Sequence, residues 1–131
     1  MDLLEKYMTE IKQELYIDEM NIGEVQRRLP SRRHLWVGRL IRHKQEREHL
    51  KREMIDIKKK AADKIKSASI TRLTNGEAFA MASNTSEVAD MKTKLDELEL
   101  IIEFLEKTEK NLTSMVWDIK NIIEIQKLEM L

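Results

Sequence analysis

The chain has 131 residues, of which 37% are charged and only 5% are aromatic, and it contains three Gly and one Pro. Because residues that break helices are rare, this composition favours long helices over a sheet-rich globule. The absence of cysteine excludes disulfides, thiolate metal sites and thiol nucleophiles. The first ten residues lack the features of a signal peptide, and no stretch approaches the ~20 apolar residues of a membrane span, which predicts a cytoplasmic protein without a membrane partner.

The formal net charge of zero hides three segments of opposite sign. Residues 1–25 carry two basic and seven acidic side chains (−5), residues 26–66 carry fifteen and five (+10), and residues 67–131 carry seven and twelve (−5). Asymmetry of this size predicts separate roles for the segments. A strongly basic middle segment is typical of a surface that binds the phosphates of nucleic acid.

The first elements are predicted to be two short helices. Apolar residues at spacings of three and four predict an amphipathic helix over residues 2–15. Asp18 is suited to cap a second helix, which we expect to end at Leu29 because Pro30 disfavours helical geometry in the residue before it.

A long basic helix is predicted next, over residues 32–66, with Ser31 as its N-cap. Its near-heptad stripe is interrupted by the polar residues His43 and Arg47, so its second half is expected to pack better than its first. The stripe consists of Trp36, Leu40, His43, Arg47, Leu50, Met54, Ile57, Ala61 and Ile65.

The stretch that follows has few charges and contains Asn75-Gly76 between two short runs. An Asn-Gly pair in this setting predicts a small β-hairpin. A flexible loop is the competing interpretation.

Ser86 is expected to cap a long C-terminal helix with a seven-residue apolar pattern, broken only at Glu109. Extra apolar positions beside this seam make it wider than a two-stranded coiled coil needs, which predicts a larger assembly. The residues predicted to mediate oligomerisation are Leu95, Leu98, Ile102, Leu105, Leu112, Met115, Ile119 and Ile122.

The sequence therefore predicts a mostly α fold with N-terminal helices, a long basic helix, a small β-hairpin and a long coiled-coil-like oligomerisation helix. Residues 1–85 are predicted to form the nucleic-acid-binding region and residues 86–131 the oligomerisation helix.

Two groups of basic side chains are candidates for contact with nucleic acid, rather than with an acidic protein or with solvent alone. If Lys64 and Lys66 both contact phosphate, the helix should end near Ile65, because residues two apart on a helix point in nearly opposite directions. The predicted DNA-binding residues are Lys58, Lys59, Lys60, Lys64, Lys66 and Arg72. The secondary basic cluster consists of Arg27, Arg28, Arg32 and Arg33.

No catalytic residue, metal ligand or cofactor is predicted. The three histidines, at positions 34, 43 and 49, lack the three- or four-residue spacing of helical metal ligands. No phosphate-binding glycine loop, dinucleotide fingerprint or nucleophile elbow is present. Trp36 and Trp117 are expected to be packing residues rather than platforms for base stacking.

The order of several short motifs resembles the UvsY family of recombination mediators from T-even-like phages. The element at 59–66, Lys-Lys-Ala-Ala-Asp-Lys-Ile-Lys, is similar to the family's Lys-Lys-x-Ala-x-Lys-x-Arg. The other motifs are Ile17-Asp18, Trp36 at the start of a basic helix, Leu-Lys-Arg-Glu-Met at 50–54, Phe-Ala-Met at 79–81 and Met-Lys-Thr at 91–93.

The resemblance implies a non-catalytic protein of the host-cell cytoplasm that binds single-stranded DNA as a homo-oligomeric ring of about six or seven subunits. It implies two protein partners: a single-stranded-DNA-binding protein that is displaced and a RecA-like recombinase that is loaded. Lys64 and Lys66 would correspond to the family's DNA-contacting pair. Lys66 stands where Arg is usual, which keeps the charge but loses the bidentate fork.

Two other functions are compatible with the residues. A structural coiled-coil adaptor would bind only proteins. An oligomeric regulator with a basic helix would bind double-stranded DNA and would lack mediator activity.

Overall fold

The computed structural model describes residues 2–131 and consists of four α-helices. They are α1 (Asp2–Glu14), α2 (Ile22–Ala68), α3 (Asn75–Ala82) and α4 (Ser86–Glu129). No β-strand occurs among the described residues. The mostly α fold class is therefore confirmed, as is the amphipathic first helix. The last helix begins at Ser86, but Thr85 accepts its first backbone hydrogen bond, from Ala89, so Ser86 is the first helical residue rather than the cap.

The chain divides into two compact units, and α2 and α4 each contribute to both. The terminal unit comprises the chain up to Arg42 together with Leu100–Leu131, and the central unit comprises His43–Glu99. The functional division between residues 85 and 86 stays a prediction.

The core of the terminal unit is built from one face of each of its three helices. Trp36 of α2 and Leu105, Leu112 and Ile119 of α4 are its largest fully buried side chains. These positions recur at helical spacings, which is why the apolar pattern of the sequence is satisfied when the helices pack side by side. The other buried residues of this core include Tyr7, Ile11, Ile22, Val25, Leu29, Leu40, Ile101, Ile102 and Met115.

Trp36 joins α1 to α2 through both its ring and its polar atom. Its ring lies edge-on to Tyr7, with centroids 5.6 Å apart. Its Nε1 donates a hydrogen bond of 2.8 Å to Oε2 of Glu14, and the guanidinium of Arg39 lies 4.6 Å from the ring centroid. A buried tryptophan needs a partner for its N–H, and Glu14 supplies it. The predicted packing role of Trp36 is confirmed.

The carboxylate of Glu10 in α1 forms ion pairs with two arginines of α2. Arg39 Nη1 lies 3.0 Å from Oε2 and Arg32 Nη2 lies 3.2 Å from Oε1. Burial by itself would raise the pKa of Glu10, but the hydrogen bonds and charges of Arg39 and Arg32 outweigh burial and hold this pKa below its ordinary value. Arg32 also pairs with Glu14. The acidic first helix is thus held to the basic second helix by charge.

The prediction that Pro30 ends a helix is wrong, because α2 runs through it. Asp18 does cap the preceding turn, accepting hydrogen bonds from the backbone N–H groups of Met20 and Asn21. Because proline has no backbone N–H, the carbonyl of Gln26, four residues before Pro30, has no helical hydrogen-bond donor. Both residues are exposed, so this carbonyl lies on the solvent side of the helix, where water can satisfy it. Ser31, expected as a cap, lies inside the helix and donates its hydroxyl to the carbonyl of Arg28.

The central unit has a core of small side chains where α3 packs. Ala62 of α2 and Ala78 and Ala82 of α3 are buried together, with Ala61 and Ile65 packed against them. Small residues allow helix backbones to approach closely, which compensates for the shortness of α3. From α4, Val88, Met91, Leu95 and Leu98 are also buried.

The predicted β-hairpin is wrong, because Asn75 and Gly76 form the first turn of α3. Neither residue has the positive φ that a two-residue hairpin turn requires. Instead, the hydroxyl of Thr74 accepts the N–H of Glu77 and donates to its carboxylate. This Thr74 N-cap starts a helix, and the burial of Ala78 and Ala82 on one face of that helix stabilises it.

The apolar seam predicted for α4 is present, and it is buried within the chain itself. Of the eight residues predicted to mediate oligomerisation, seven are buried and Ile122 is half-buried. The other helices of the same chain therefore cover much of the apolar stripe, which explains why it is wider than a two-stranded coiled coil needs. Trp117 does not pack within the chain, since 61% of its surface is exposed and Lys120 lies 5.2 Å from its ring centroid. Its predicted packing role stays a prediction.

None of the described helices has a stretch long and apolar enough to cross a membrane. No three of the described His, Asp and Glu side chains are grouped as ligands for a metal ion.

Substituting Glu10 with Gln should lower the free energy of unfolding at pH 7 by about 1.5 kcal/mol, the lower end for a hydrogen bond to a charged group, because the side chain is 31% exposed. The pKa of Glu10 is lower in the folded protein, so its contribution is present above the ordinary value of 4.5 and is lost as pH falls through the folded pKa. The difference between wild type and Glu10→Gln in urea unfolding should therefore shrink from pH 7 to pH 3.

The control is Glu5→Gln, a change on the exposed face of the same helix. Glu5 makes no ion pair among the residues that the structure describes. A difference for Glu10→Gln that stays constant with pH would contradict the role assigned to this carboxylate.

Candidate nucleic-acid interface

The lysine-rich end of α2 lies in the central unit and is open to solvent. Lys59, Lys60, Lys64 and Lys66 are exposed, and Lys58 is half-buried. No carboxylate of residues 2–131 lies within ion-pair distance of any of the five. These lysines therefore carry charge that the described part of the chain does not neutralise by direct pairing.

The helix does not end near Ile65 as expected, but continues to Ala68. Lys64 and Lys66 are both helical, and their side chains leave the helix about 200° apart. Lys66 instead shares a side of α2 with Lys59, seven residues earlier, while Lys60 and Lys64 share another. The pair that the family resemblance suggested is therefore divided between two sides of α2.

Lys66 and Arg72 meet at one cavity, formed where the chain leaves α2 and enters α3. This cavity has a volume of about 590 Å³. Its lining contains two cations, three hydroxyl side chains and an amide, and no carboxylate. Such a set of donors suits phosphate oxygens, which accept several hydrogen bonds at once. The lining residues are Lys66, Ser69, Ile70, Thr71, Arg72, Leu73, Thr74 and Asn75.

The loop around this cavity is held by its own hydrogen bonds. The hydroxyl of Ser69 donates to the carbonyl of Thr71 at 2.8 Å, and the Thr74 cap anchors the far end of the loop. Nζ of Lys66 donates to Oδ1 of Asn75, so the end of α2 is tied to the start of α3. The two cations therefore flank a short ordered loop rather than a free tail.

Lys60 and Lys64 line a different cavity, of about 490 Å³, at the start of α4. Asp63 and Glu87 also line it. These carboxylates offset the positive potential of the two lysines, which makes this cavity less suited to phosphate than the one at Lys66 and Arg72.

The secondary basic cluster lies in the terminal unit and is largely occupied by contacts within the chain. Arg32 pairs with Glu10 and Glu14, and Arg33 donates to the hydroxyl of Thr113. Arg28 lies 3.9 Å from Glu24, and Arg27 donates to the carbonyl of Gly23. Arg27 and Arg28 keep exposed side chains, whereas Arg32 and Arg33 are half-buried.

Sequence reasoning missed the polar residues that line the first cavity, namely Ser69, Thr71, Thr74 and Asn75. A signal for them was present, since hydroxyl and amide side chains fill the interval between Lys66 and Arg72. The hairpin prediction places this stretch in strands, in which alternate side chains turn to opposite faces of a sheet.

No protein-family model matches the chain, and no curated protein matches it. By structure, the chain is similar to two crystal structures of the bacteriophage T4 recombination mediator protein UvsY. One, in lattice type IV, has a TM-score of 0.82 and 17% sequence identity, and the match covers 96% of this chain and 98% of that chain. The other, in lattice type II, has a TM-score of 0.80 and 18% identity, and the match covers 97% of each chain.

The match extends over nearly all of both chains, so the order of helices, and not one long helix alone, is shared. The resemblance to the UvsY family that the motifs predicted is confirmed at the level of the fold. This chain has the fold of the phage recombination mediator UvsY.

Proposed function

We propose that the chain is a non-catalytic recombination mediator. It binds single-stranded DNA as a homo-oligomeric ring, displaces a single-stranded-DNA-binding protein and loads a RecA-like recombinase in the host cytoplasm. The shared fold with a phage recombination mediator supports this function. The observation that carries the DNA-binding part is the unpaired positive charge at the end of α2, above all at the cavity lined by Lys66 and Arg72.

The phosphate contacts are proposed to centre on Lys66 and Arg72. Lys59 extends them along the same side of α2 as Lys66, and Lys58, Lys60 and Lys64 add positive charge nearby. Each phosphate contact releases counterions from the strand, so affinity should fall steeply with salt. The contribution of one subunit is modest, but an oligomer presents several such sites to one strand at high effective concentration.

Assembly is proposed to use apolar side chains of α4 that remain exposed. Trp117 is 61% and Leu128 is 68% exposed, and their eleven-residue spacing puts them on the same side of the helix. That side is opposite the buried stripe, so contact with another subunit through it does not compete with the core. The role predicted for the buried seam from Leu95 to Ile122 stays a prediction, and Ile122 is its most accessible member.

Replacing Lys66 and Arg72 together with Ala should weaken binding to single-stranded DNA and flatten its salt dependence. Each lost phosphate contact should reduce the slope of log K against log salt by about 0.7. Titrating a fluorescent oligonucleotide at several salt concentrations measures both effects.

The matched control is Arg27→Ala with Arg28→Ala, which removes two exposed cations from the terminal unit. Equal losses in the two double variants would show that total charge, and not this cavity, governs binding. If the wild-type protein fails to bind at low salt, the chain is better described as a protein-binding adaptor.

Substituting Trp117 and Leu128 with Asp should dissociate the oligomer, because each subunit would bring two carboxylates into a contact where they lose water. Light scattering measures the mass. Point substitutions are preferable to removing α4, since α4 supplies core residues to both units.

Ile41→Asp is the control for assembly, as Ile41 is similarly exposed, at 51%, but lies on α2. A wild-type mass that persists in the Trp117 and Leu128 variant would rule out this face as the contact.

Mediator activity should appear as relief of the inhibition that a single-stranded-DNA-binding protein imposes on the recombinase. A RecA-like recombinase should hydrolyse ATP slowly on DNA coated with a single-stranded-DNA-binding protein and faster when this chain is added. The Lys66 and Arg72 variant should lose most of the effect. Stimulation that is equally strong on duplex DNA, together with tighter binding to duplex, would favour the double-stranded DNA regulator instead.

A further inference from the structure

Ile70 lies in the loop between α2 and α3 and is fully exposed, with a relative accessibility of 104%. It lines the same cavity as Lys66 and Arg72. We propose that Ile70 contacts the bases of the strand whose phosphates these two cations hold. This inference rests on the proposed function, because it names how the same site engages single-stranded DNA.

The loop geometry presents Ile70 outward. The hydroxyl of Ser69 donates to the carbonyl of Thr71 at 2.8 Å and lies 3.3 Å from its hydroxyl, so the residues on either side of Ile70 are bonded to each other. By contrast, the neighbouring apolar residue Leu73 is half-buried. Ile70 is thus the apolar residue of this loop that the protein leaves uncovered.

The charges around Ile70 indicate what covers it. Lys66 and Arg72 line the same cavity, and no carboxylate does. A single strand of DNA presents phosphates and the apolar faces of bases within one nucleotide, so it matches both the cations and the isoleucine. Isoleucine is among the apolar side chains that proteins place against base faces, as duplex-kinking proteins do when they insert it between base steps. In duplex DNA the bases are already stacked, and insertion costs a few kcal/mol per step. A single strand is therefore the favoured occupant.

The aromatic side chain of the central unit does not provide this contact. Phe79 is 38% exposed and would be the better stacking surface by chemistry alone. It lies on α3 and does not line the cavity at Lys66 and Arg72. The residue placed beside the phosphate-binding cations is Ile70.

The experiment compares two strands that differ only in their bases. Dissociation constants are measured for an oligothymidylate and for an abasic strand of the same length, at one salt concentration. The wild-type protein should prefer the oligothymidylate by about three- to tenfold, the lower range of effects for contacts with single-stranded bases. Ile70→Ser should bind the abasic strand as the wild type does. The ratio of its dissociation constants for the abasic strand and the oligothymidylate should fall towards one.

Three further variants separate the base contact from other effects. Lys66→Ala should weaken binding to both strands by the same factor. Met20→Ser should change neither affinity, since Met20 is 96% exposed but lies in the terminal unit. A 2-aminopurine placed in the strand should brighten on binding to the wild type and less on binding to Ile70→Ser. Because Ile70 is fully exposed, its substitution should leave the helical circular dichroism unchanged.

Several results would overturn the inference. If the wild type binds the two strands equally well, or if Ile70→Ser weakens binding to both strands equally, the base contact is rejected. The proposed DNA binding would still stand. Loss of the preference in Phe79→Ala but not in Ile70→Ser would move the contact to α3. If polyglutamate competes as well as DNA and neither strand is preferred, an acidic protein is the partner. Failure of the wild type to bind either strand would reject the proposed function itself.

Discussion

The apolar stripe of α4 lies buried in both units of the chain, and its burial decides which surfaces remain for function. Leu105, Leu112 and Ile119 have almost no exposed surface, and Val88, Met91 and Leu95 are buried farther along the same helix. An amphipathic helix of 44 residues is not stable alone in water unless such a stripe is covered. Here α1, α2 and α3 cover it, so the helix that looks like a coiled-coil strand is first of all the core of its own chain. Side chains away from that stripe, such as Trp117, remain exposed.

Charge is used in two different ways along α2. In the terminal unit Arg32 and Arg39 face the acidic first helix, and their pairs with Glu10 couple that helix to α2. In the central unit the lysines of the last turns have no carboxylate close enough for an ion pair among residues 2–131. A chain of zero net charge can therefore carry a strongly basic surface, because the compensating acids lie elsewhere in the fold. The segregation of signs along the sequence is the cause of both arrangements.

The loop between α2 and α3 concentrates the features relevant to function in a few residues. The N-cap at Thr74 fixes where α3 begins, and the hydrogen bond of Lys66 with Asn75 fixes where α2 ends relative to it. The hydroxyl groups between these two points line a cavity instead of alternating across a sheet. Had the Asn-Gly pair made a hairpin turn, Lys66 and Arg72 would not share this lining with Ser69 and Thr71. A small difference in local capping thus determines the chemistry of the surface.

The sequence by itself determined the helical class, the first and last helices and the basic end of α2, because these follow from apolar spacing and local charge. Its motifs also pointed to the fold that the structure shares with UvsY. It did not determine the path through Pro30, where a buried Leu29 and Trp36 hold the helix together despite one lost hydrogen bond. It did not decide between a hairpin and α3, because the burial of Ala78 and Ala82 against Ala62 is a contact between distant residues. Nor did it distinguish the arginines that pair with α1 from the lysines at the end of α2, which have no ion pair among residues 2–131, since residues twenty or more positions apart meet only in the tertiary structure.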